Sequence, residues 1–239
     1  GEVVEPISSR AIGVYLVTAL LLVLTSDHSD AALTLFALLI AGTIGVVWRT
    51  PAAAAALPVA ALASGLVFLS WVVRDNPDLL SLPGGAIKEI GERANEASVT
   101  MHLVLAGLFA AGFGGTGYLA QGRYAHATVP TIWAACAVGT PIALLIATYT
   151  RVAHLDQSIP FAIIAVLLAA VLGFATEQLT RREPRPGQTI AAALFATGAL
   201  AALALALTFA LAKGWLTIAL ALMSLGTAWV SLQRPIPFL

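Results

Sequence analysis

The sequence predicts an all-α fold: a polytopic transmembrane bundle of about eight helices arranged as four tandem hairpins. Three observations predict it. The 239 residues are 59% hydrophobic and only 10% charged, with a mean hydropathy of +0.93, where a soluble domain is about a quarter charged. Eight stretches are long and apolar enough to cross about 30 Å of hydrocarbon as helices, which takes about 20 residues each. The twelve basic and twelve acidic residues all fall at the ends of those stretches or between them, as expected when a charge at a helix centre costs about 2.5–3.5 kcal/mol on insertion. Lipid leaves no unpaired backbone unpunished, and the period-2 alternation of a membrane barrel is absent, so the spans are helices.

In order, the first span covers residues 8–25 and delivers the polar stretch "SDHSD", with Asp27, His28 and Asp30. The second, 31–48, ends in "GVVWRTP", and the third, 52–73, leads into the long connection 74–98, "RDNPDLLSLPGGAIKEIGERANEA". In that connection Ile87, Ile90, Ala94 and Ala97 share one helical face and Glu89 and Arg93 are paired at i, i+4. It reads as a short helix on the membrane surface, or as a lid or partner-binding cap.

The fourth span, 99–120, contains a literal G-x-G-x-x-G at Gly112, Gly114 and Gly117. That fingerprint binds a dinucleotide only between a strand and a helix. Here it closes an apolar run, so the glycines serve close helix packing. The row Gly107, Ala111, Gly115, with Ala106, Ala110 and Gly114 beside it, is the small-residue spacing that lets membrane helices approach. The fifth span, 129–150, carries Pro141 near its middle, where proline removes a backbone hydrogen bond and kinks the helix. Interrupted helices form substrate sites in many transporters. After it comes "RVAHLDQ", with Arg151, His154 and Asp156. The sixth span, 159–178, ends in "LTRREP"; the seventh and eighth, 190–212 and 215–232, lead to "AWVSLQRPIP". The five tryptophans all lie near span ends, the place of an aromatic belt.

A basic residue followed by proline recurs after the second, sixth and eighth spans, and more loosely after the fourth. Proline suits the start of a helix, where its missing N–H does no harm. The hairpin units are then 8–50, 52–123, 129–182 and 190–234, a repeat supported by the likeness of "LTLFALLIAGTIGVVWRTP" to "LTIALALMSLGTAWVSLQRP". Counting the short connections, the Arg-Pro side carries seven Lys/Arg against two opposite, which makes it cytoplasmic, together with both ends of this piece.

The ending "GWLTIALALMSLGTAWVSLQRPIPFL", the tandem hairpins and the Ala/Leu-rich spans resemble the bacterial predicted-membrane-protein family called domain of unknown function 2339. The likeness is carried mainly from Ser158 onward. It implies a bacterial inner-membrane protein, and members of this kind are longer chains with more spans. The start at Gly1 and the ending inside a continuing motif agree with a piece of a longer protein. The family brings no established activity, so no residue role carries over.

Function classes narrow accordingly. Balanced charge excludes a basic field for nucleic acid, and the single Cys136 excludes an internal disulfide or a zinc–cysteine site. No cofactor is implied. The partners are membrane lipids, other membrane subunits, or the rest of a longer chain. The first reading is transport of, or assembly with, a lipophilic or uncharged envelope substrate, since a proton-coupled pump needs intramembrane carboxylates. An intramembrane enzyme at the outer rim, using Asp27, His28, His102, His154 and Asp156, is the alternative. If His28, His102, His154, Asp27, Asp30 and Asp156 converge, they supply metal-ligand chemistry; spread out, they are interfacial polar residues. A third reading is a scaffold subunit.

Overall fold

The structure is a computed structural model and describes residues 6–75, 96–211 and Ser224. Seven α-helices are found among the described residues: α1 (Pro6–Thr25), α2 (Asp30–Arg49), α3 (Ala56–Asp75), α4 (Glu96–Leu119), α5 (Thr128–Ala153), α6 (Ile159–Thr180) and α7 (Gln188–Ala210). Six of them, α2 to α7, are long and apolar enough to cross a membrane; the described apolar part of α1, Ser9–Thr25, is shorter. Each expected span from the first to the seventh therefore meets a helix. The eighth, 215–232, and most of the connection 74–98 lie outside the described residues.

Helix limits follow from local chemistry. Ser29 caps α2, its hydroxyl accepting from the Ala32 N–H, with Asp30 in the first turn where the helix dipole favours an anion and Arg49 in the last turn where it favours a cation. The expected span 52–73 begins as a helix only at Ala56. Pro58 has no N–H to offer the Ala54 carbonyl, and that carbonyl takes the Leu57 N–H instead, at 3.1 Å. The preceding Pro51–Ala53 forms a 3-10 turn. At the end of α4, the Gln121 amide donates to the Gly117 carbonyl at 2.8 Å and the Pro130 carbonyl at 3.0 Å, pinning α4 to the start of α5.

Helix α5 is the centre of the bundle, packing broadly on α3, α4 and α7. Its small residues allow this: Ala134, Ala137 and Thr140 are buried along with Pro141. The broadest pairings are α6 on α7 and α4 on α5, whereas α3 on α4 and α5 on α6 touch narrowly. Packing thus does not follow the hairpin units read from the sequence, although successive helices do alternate in direction. One end gathers the α1–α2 turn, the end of α3, the start of α4 and the end of α5. The other gathers the end of α2, the α4–α5 connection and the α6–α7 connection.

A core of Phe36, Phe68, Phe113, Trp133 and Leu144 joins α2 to α5, and two smaller clusters around Phe195 and Phe209 join α5, α6 and α7. Outward, α6 presents Ile163, Ile164, Leu167, Val171 and Phe174. A contiguous apolar face of this kind belongs against lipid. Two tryptophans differ from the expected aromatic belt. Trp133 is fully buried against Trp48, which lies under the Arg123 guanidinium at 4.0 Å, and Trp71 is buried in a polar cluster.

Candidate functional site

Two histidines singled out from the sequence meet inside the bundle. Asp27 and His28 both have left-handed backbone, φ 59° and 56°, a conformation that costs most residues roughly 1–2 kcal/mol and that Asp and His tolerate better than most. The turn folds back so that the His28 N–H reaches the Val23 carbonyl at 3.0 Å. It leaves Asp27 and Asp30 exposed and drives the His28 ring into the interior. His102, from the second turn of α4, is completely buried there.

Donor inventory limits this cluster to two proton arrangements. With the Ser70 hydroxyl donating to the Val67 carbonyl at 2.8 Å, its oxygen accepts from His28 Nε2, 3.0 Å away. A neutral His28 with its proton on Nε2 has a bare Nδ1, and that nitrogen accepts from His102 Nε2–H at 3.0 Å. The chain then runs His102, His28, Ser70, Val67; with the hydroxyl turned to His28 Nε2 it runs the other way, from Ser70 through His28 to His102. Trp71 stacks on the His102 ring, centroids 4.2 Å apart and 5° from parallel, and Phe68 meets it edge-on. The buried Arg151 places its guanidinium 5.3 Å from the Trp71 centroid. A relay of this kind, walled by aromatic rings, can hold one proton between two imidazoles and present its Ser70 end at a half-buried surface.

The other outer-rim residues stay apart from it. His154 and Leu155 repeat the left-handed pair, φ 50° and 64°, but His154 and Asp156 are exposed, and Asp156 is engaged through its backbone, its carbonyl accepting from Tyr149 at 2.9 Å. Among the described residues no three His, Cys, Asp or Glu side chains are grouped to hold a metal. Ser70, Trp71 and Arg151 were not anticipated as a group. Nothing in their spacing signals that the ends of α3 and α5 meet the start of α4.

The second feature is an apolar groove of about 520 Å³ between α4, α5 and α6. Its floor is small residues, Ala110, Ala111, Gly114, Gly115 and Ala137, with Pro141 beside them; its walls include Leu167, Leu168 and Val171. Here the packing row proposed from the sequence needs correction. Gly107, Ala111 and Gly115 face outward, and a Cβ at Gly107 or Gly115 would meet nothing within 4 Å. The close approach to α5 is made by Gly114 and above all Gly117, where a Cβ would lie 2.6 Å from the Trp133 carbonyl oxygen and overlap Ala137 Cβ. A turn of helix is 3.6 residues, so the apolar row drifts and the contacting glycine is reached only near the end of α4. Helix α5 runs unbroken through Pro141. What proline removes is the N–H that would occupy the Ala137 carbonyl, and that carbonyl lies 3.8 Å from where a Gly114 Cβ would be.

The family model described as "Predicted membrane protein (DUF2339)" matches residues 10–237. The chain belongs to this family. The match takes in the first half as fully as the C-terminal half that carried the resemblance. DUF2339 membership makes it a multi-pass membrane protein, in agreement with its six span-length apolar helices. No curated protein and no solved structure matches the chain.

Proposed function

We propose that this protein holds a lipophilic envelope molecule in the groove between α4, α5 and α6 and carries or presents it within the bilayer. The observation that supports this reading is the groove itself. Its volume of about 520 Å³ is in the usual range of ligand pockets, about 300–1,000 Å³. Along α6 its lining runs from Ile164 to Ala175, roughly 16 Å at about 1.5 Å per residue. That is about one leaflet of a hydrocarbon core some 30 Å thick. Small residues on α4 and α5 open the slot, and it is lined by almost nothing polar. In this reading the membrane is the bacterial inner membrane, the Arg-Pro side faces the cytoplasm, and membrane lipids, with neighbouring subunits or further parts of a longer chain, are the partners.

Gly115→Leu tests it. A leucine there meets no neighbouring atom at its Cβ and rises from the groove floor, so folding is expected to be unchanged while bound lipid, read by native mass spectrometry of the purified protein, is lost. Unchanged lipid retention in that variant would sink the proposal.

A second reading, acid–base chemistry at the outer rim, is favoured by one observation: with the Ser70 O–H turned to His28 Nε2 and His28 Nδ1–H donating to His102 Nε2, the three side chains stand in nucleophile, base and orienting-group order. Labelling with a fluorophosphonate lipid probe tests this. Modification of Ser70 that is lost in His28→Gln supports it, and absence of labelling refutes it.

A further inference from the structure

The groove does not end in apolar residues. At its inner end stands Tyr118, and there the slot adjoins a second, polar pocket of about 310 Å³ lined in part by Gln121, Arg182, Arg185 and Gln188. Tyr118 and Arg182 join the two. Arg182 Nη2 donates to the Tyr118 hydroxyl at 2.6 Å, and its guanidinium lies 4.8 Å over the Tyr118 ring.

From this continuity we infer that the rim seats the phosphate of an anionic phospholipid whose acyl chain lies in the groove; the inference rests on the groove reading above.

Charge bookkeeping at the rim supports an anion. Arg181 takes the Glu177 carboxylate at 2.9 Å. Neither Arg182 nor Arg185 has a carboxylate partner among the described residues. Glu183 also lines the polar pocket, so its two arginines leave a net positive charge there. The two arginines are held rather than loose. Tyr118 fixes Arg182, while Arg185 donates through Nη1 to the Gly122 carbonyl at 2.5 Å and through its backbone N–H to Gln188 Oε1 at 3.0 Å. Each of these contacts uses one side-chain N–H or none, and a guanidinium has five. The remaining donors can form the paired N–H···O contacts that suit a phosphate. Position agrees as well. Arg182 stands two residues past the end of α6, and Tyr118 is in the last turn of α4, so both stand at the depth where headgroups lie while the slot reaches inward beneath them.

The experiment exchanges the purified protein in detergent against an equimolar mixture of phosphatidylglycerol and phosphatidylcholine with identical chains, then counts bound lipids by native mass spectrometry. The wild type is expected to retain phosphatidylglycerol preferentially. Each arginine near a surface contributes about fivefold, so Arg182→Gln should reduce the preference about fivefold and the double variant with Arg185→Gln about twenty-five-fold, with total lipid retained. Arg182→Lys, which keeps the charge and loses the paired geometry, is expected to fall between. Thermal melts of each variant confirm folding.

A preference unchanged in both the double variant and Arg182→Lys overturns the headgroup inference and leaves the groove reading standing. Retention unaffected by Gly115→Leu overturns the groove reading itself. A wild type that binds no lipid, its groove filled by another part of the chain or a second copy, overturns both. Displacement of the bound species by inorganic phosphate alone would show a free-phosphate site and overturn the lipid assignment.

Discussion

Replacing Gly117 by alanine tests how closely α4 and α5 are joined. A methyl group built there lies 2.6 Å from the Trp133 carbonyl oxygen and runs into Ala137 Cβ, both parts of α5 that cannot rotate away. Ordinary contact begins at 3.4 Å, so the helices must part by about 1 Å to clear Ala137 Cβ, an overpacking of the kind that costs about 1–3 kcal/mol. The upper half of that range is expected, because the obstacle is backbone and because the Gly117 carbonyl also accepts from Gln121 at 2.8 Å. Intrinsic helix propensity works the other way, favouring alanine by about 0.5–1 kcal/mol. The net expectation is a loss of about 1–2 kcal/mol, a roughly five- to thirtyfold shift in the folded-to-unfolded ratio. Unfolding in mixed micelles measures it, with Gly107→Ala and Gly115→Ala as controls. These have open space around the new methyl and should be neutral or slightly stabilised. Ala137→Gly in the Gly117→Ala background should recover part of the loss and leave the Trp133 conflict. If Gly117→Ala unfolds like the wild type, or if the two controls are equally damaged, the assigned α4–α5 interface is wrong.

Other consequences can be checked with the same assay. His102→Ala removes the hydrogen-bond partner of the buried His28 Nδ1 and should cost about 1–3 kcal/mol, while His154→Asn, at an exposed position and with a residue that accepts left-handed backbone, should stay within about 0.5 kcal/mol; equal effects would refute the relay. Gly187 sits at φ 79° with the Ala127 oxygen 2.9 Å from a would-be Cβ, so Gly187→Ala should cost at least about 1–2 kcal/mol. Tyr149→Phe loses the hydrogen bond to the Asp156 carbonyl and should cost about 0.5–1.5 kcal/mol. In a Cys136→Ala background, single cysteines at Asp30 and Asp156 should react with an impermeant thiol reagent from one face, and those at Arg123 and Arg185 from the other. Reaction of Asp30 and Asp156 from opposite faces would overturn the alternation.

Helices were legible because lipid imposes a length and expels charge, and both constraints act on each segment separately. That is why α2 and α6 begin and end within two residues of their expected limits. Which helix touches which is a property of pairs. Nothing in the tandem pattern distinguishes α4 packing on α5 from α4 packing on α3. The glycine row went the same way. Gly107, Ala111 and Gly115 have the right spacing, but spacing cannot say which face of α4 turns toward a neighbour. The histidines were found for a chemical reason, being rare polar groups beside apolar runs. His28 and His102 come together through a left-handed turn and the convergence of α3 and α4, neither of which has a local signature. Trp71 has the sequence context of an interfacial anchor, and stacking on His102 makes it part of the interior instead.

The attachment of α6 has a mechanical side. Its broad contact is with α7, and it meets α5 only narrowly. The two are fastened at both ends: the Ser158 N–H reaches the Phe209 carbonyl at 2.8 Å, and Gln188 donates to the Leu179 carbonyl. Among the described helices α6 therefore resembles a door leaf on its post, hinged along α7, its free edge toward α4 latched at one end by the Arg182–Tyr118 hydrogen bond. A guest wedged into the slot pushes on that free edge, and the leaf can swing while every fastening to the post stays closed. Entry from the side, straight out of the lipid, then works against that latch and the Tyr149–Phe161 contact with α5, and spares the long α6–α7 seam.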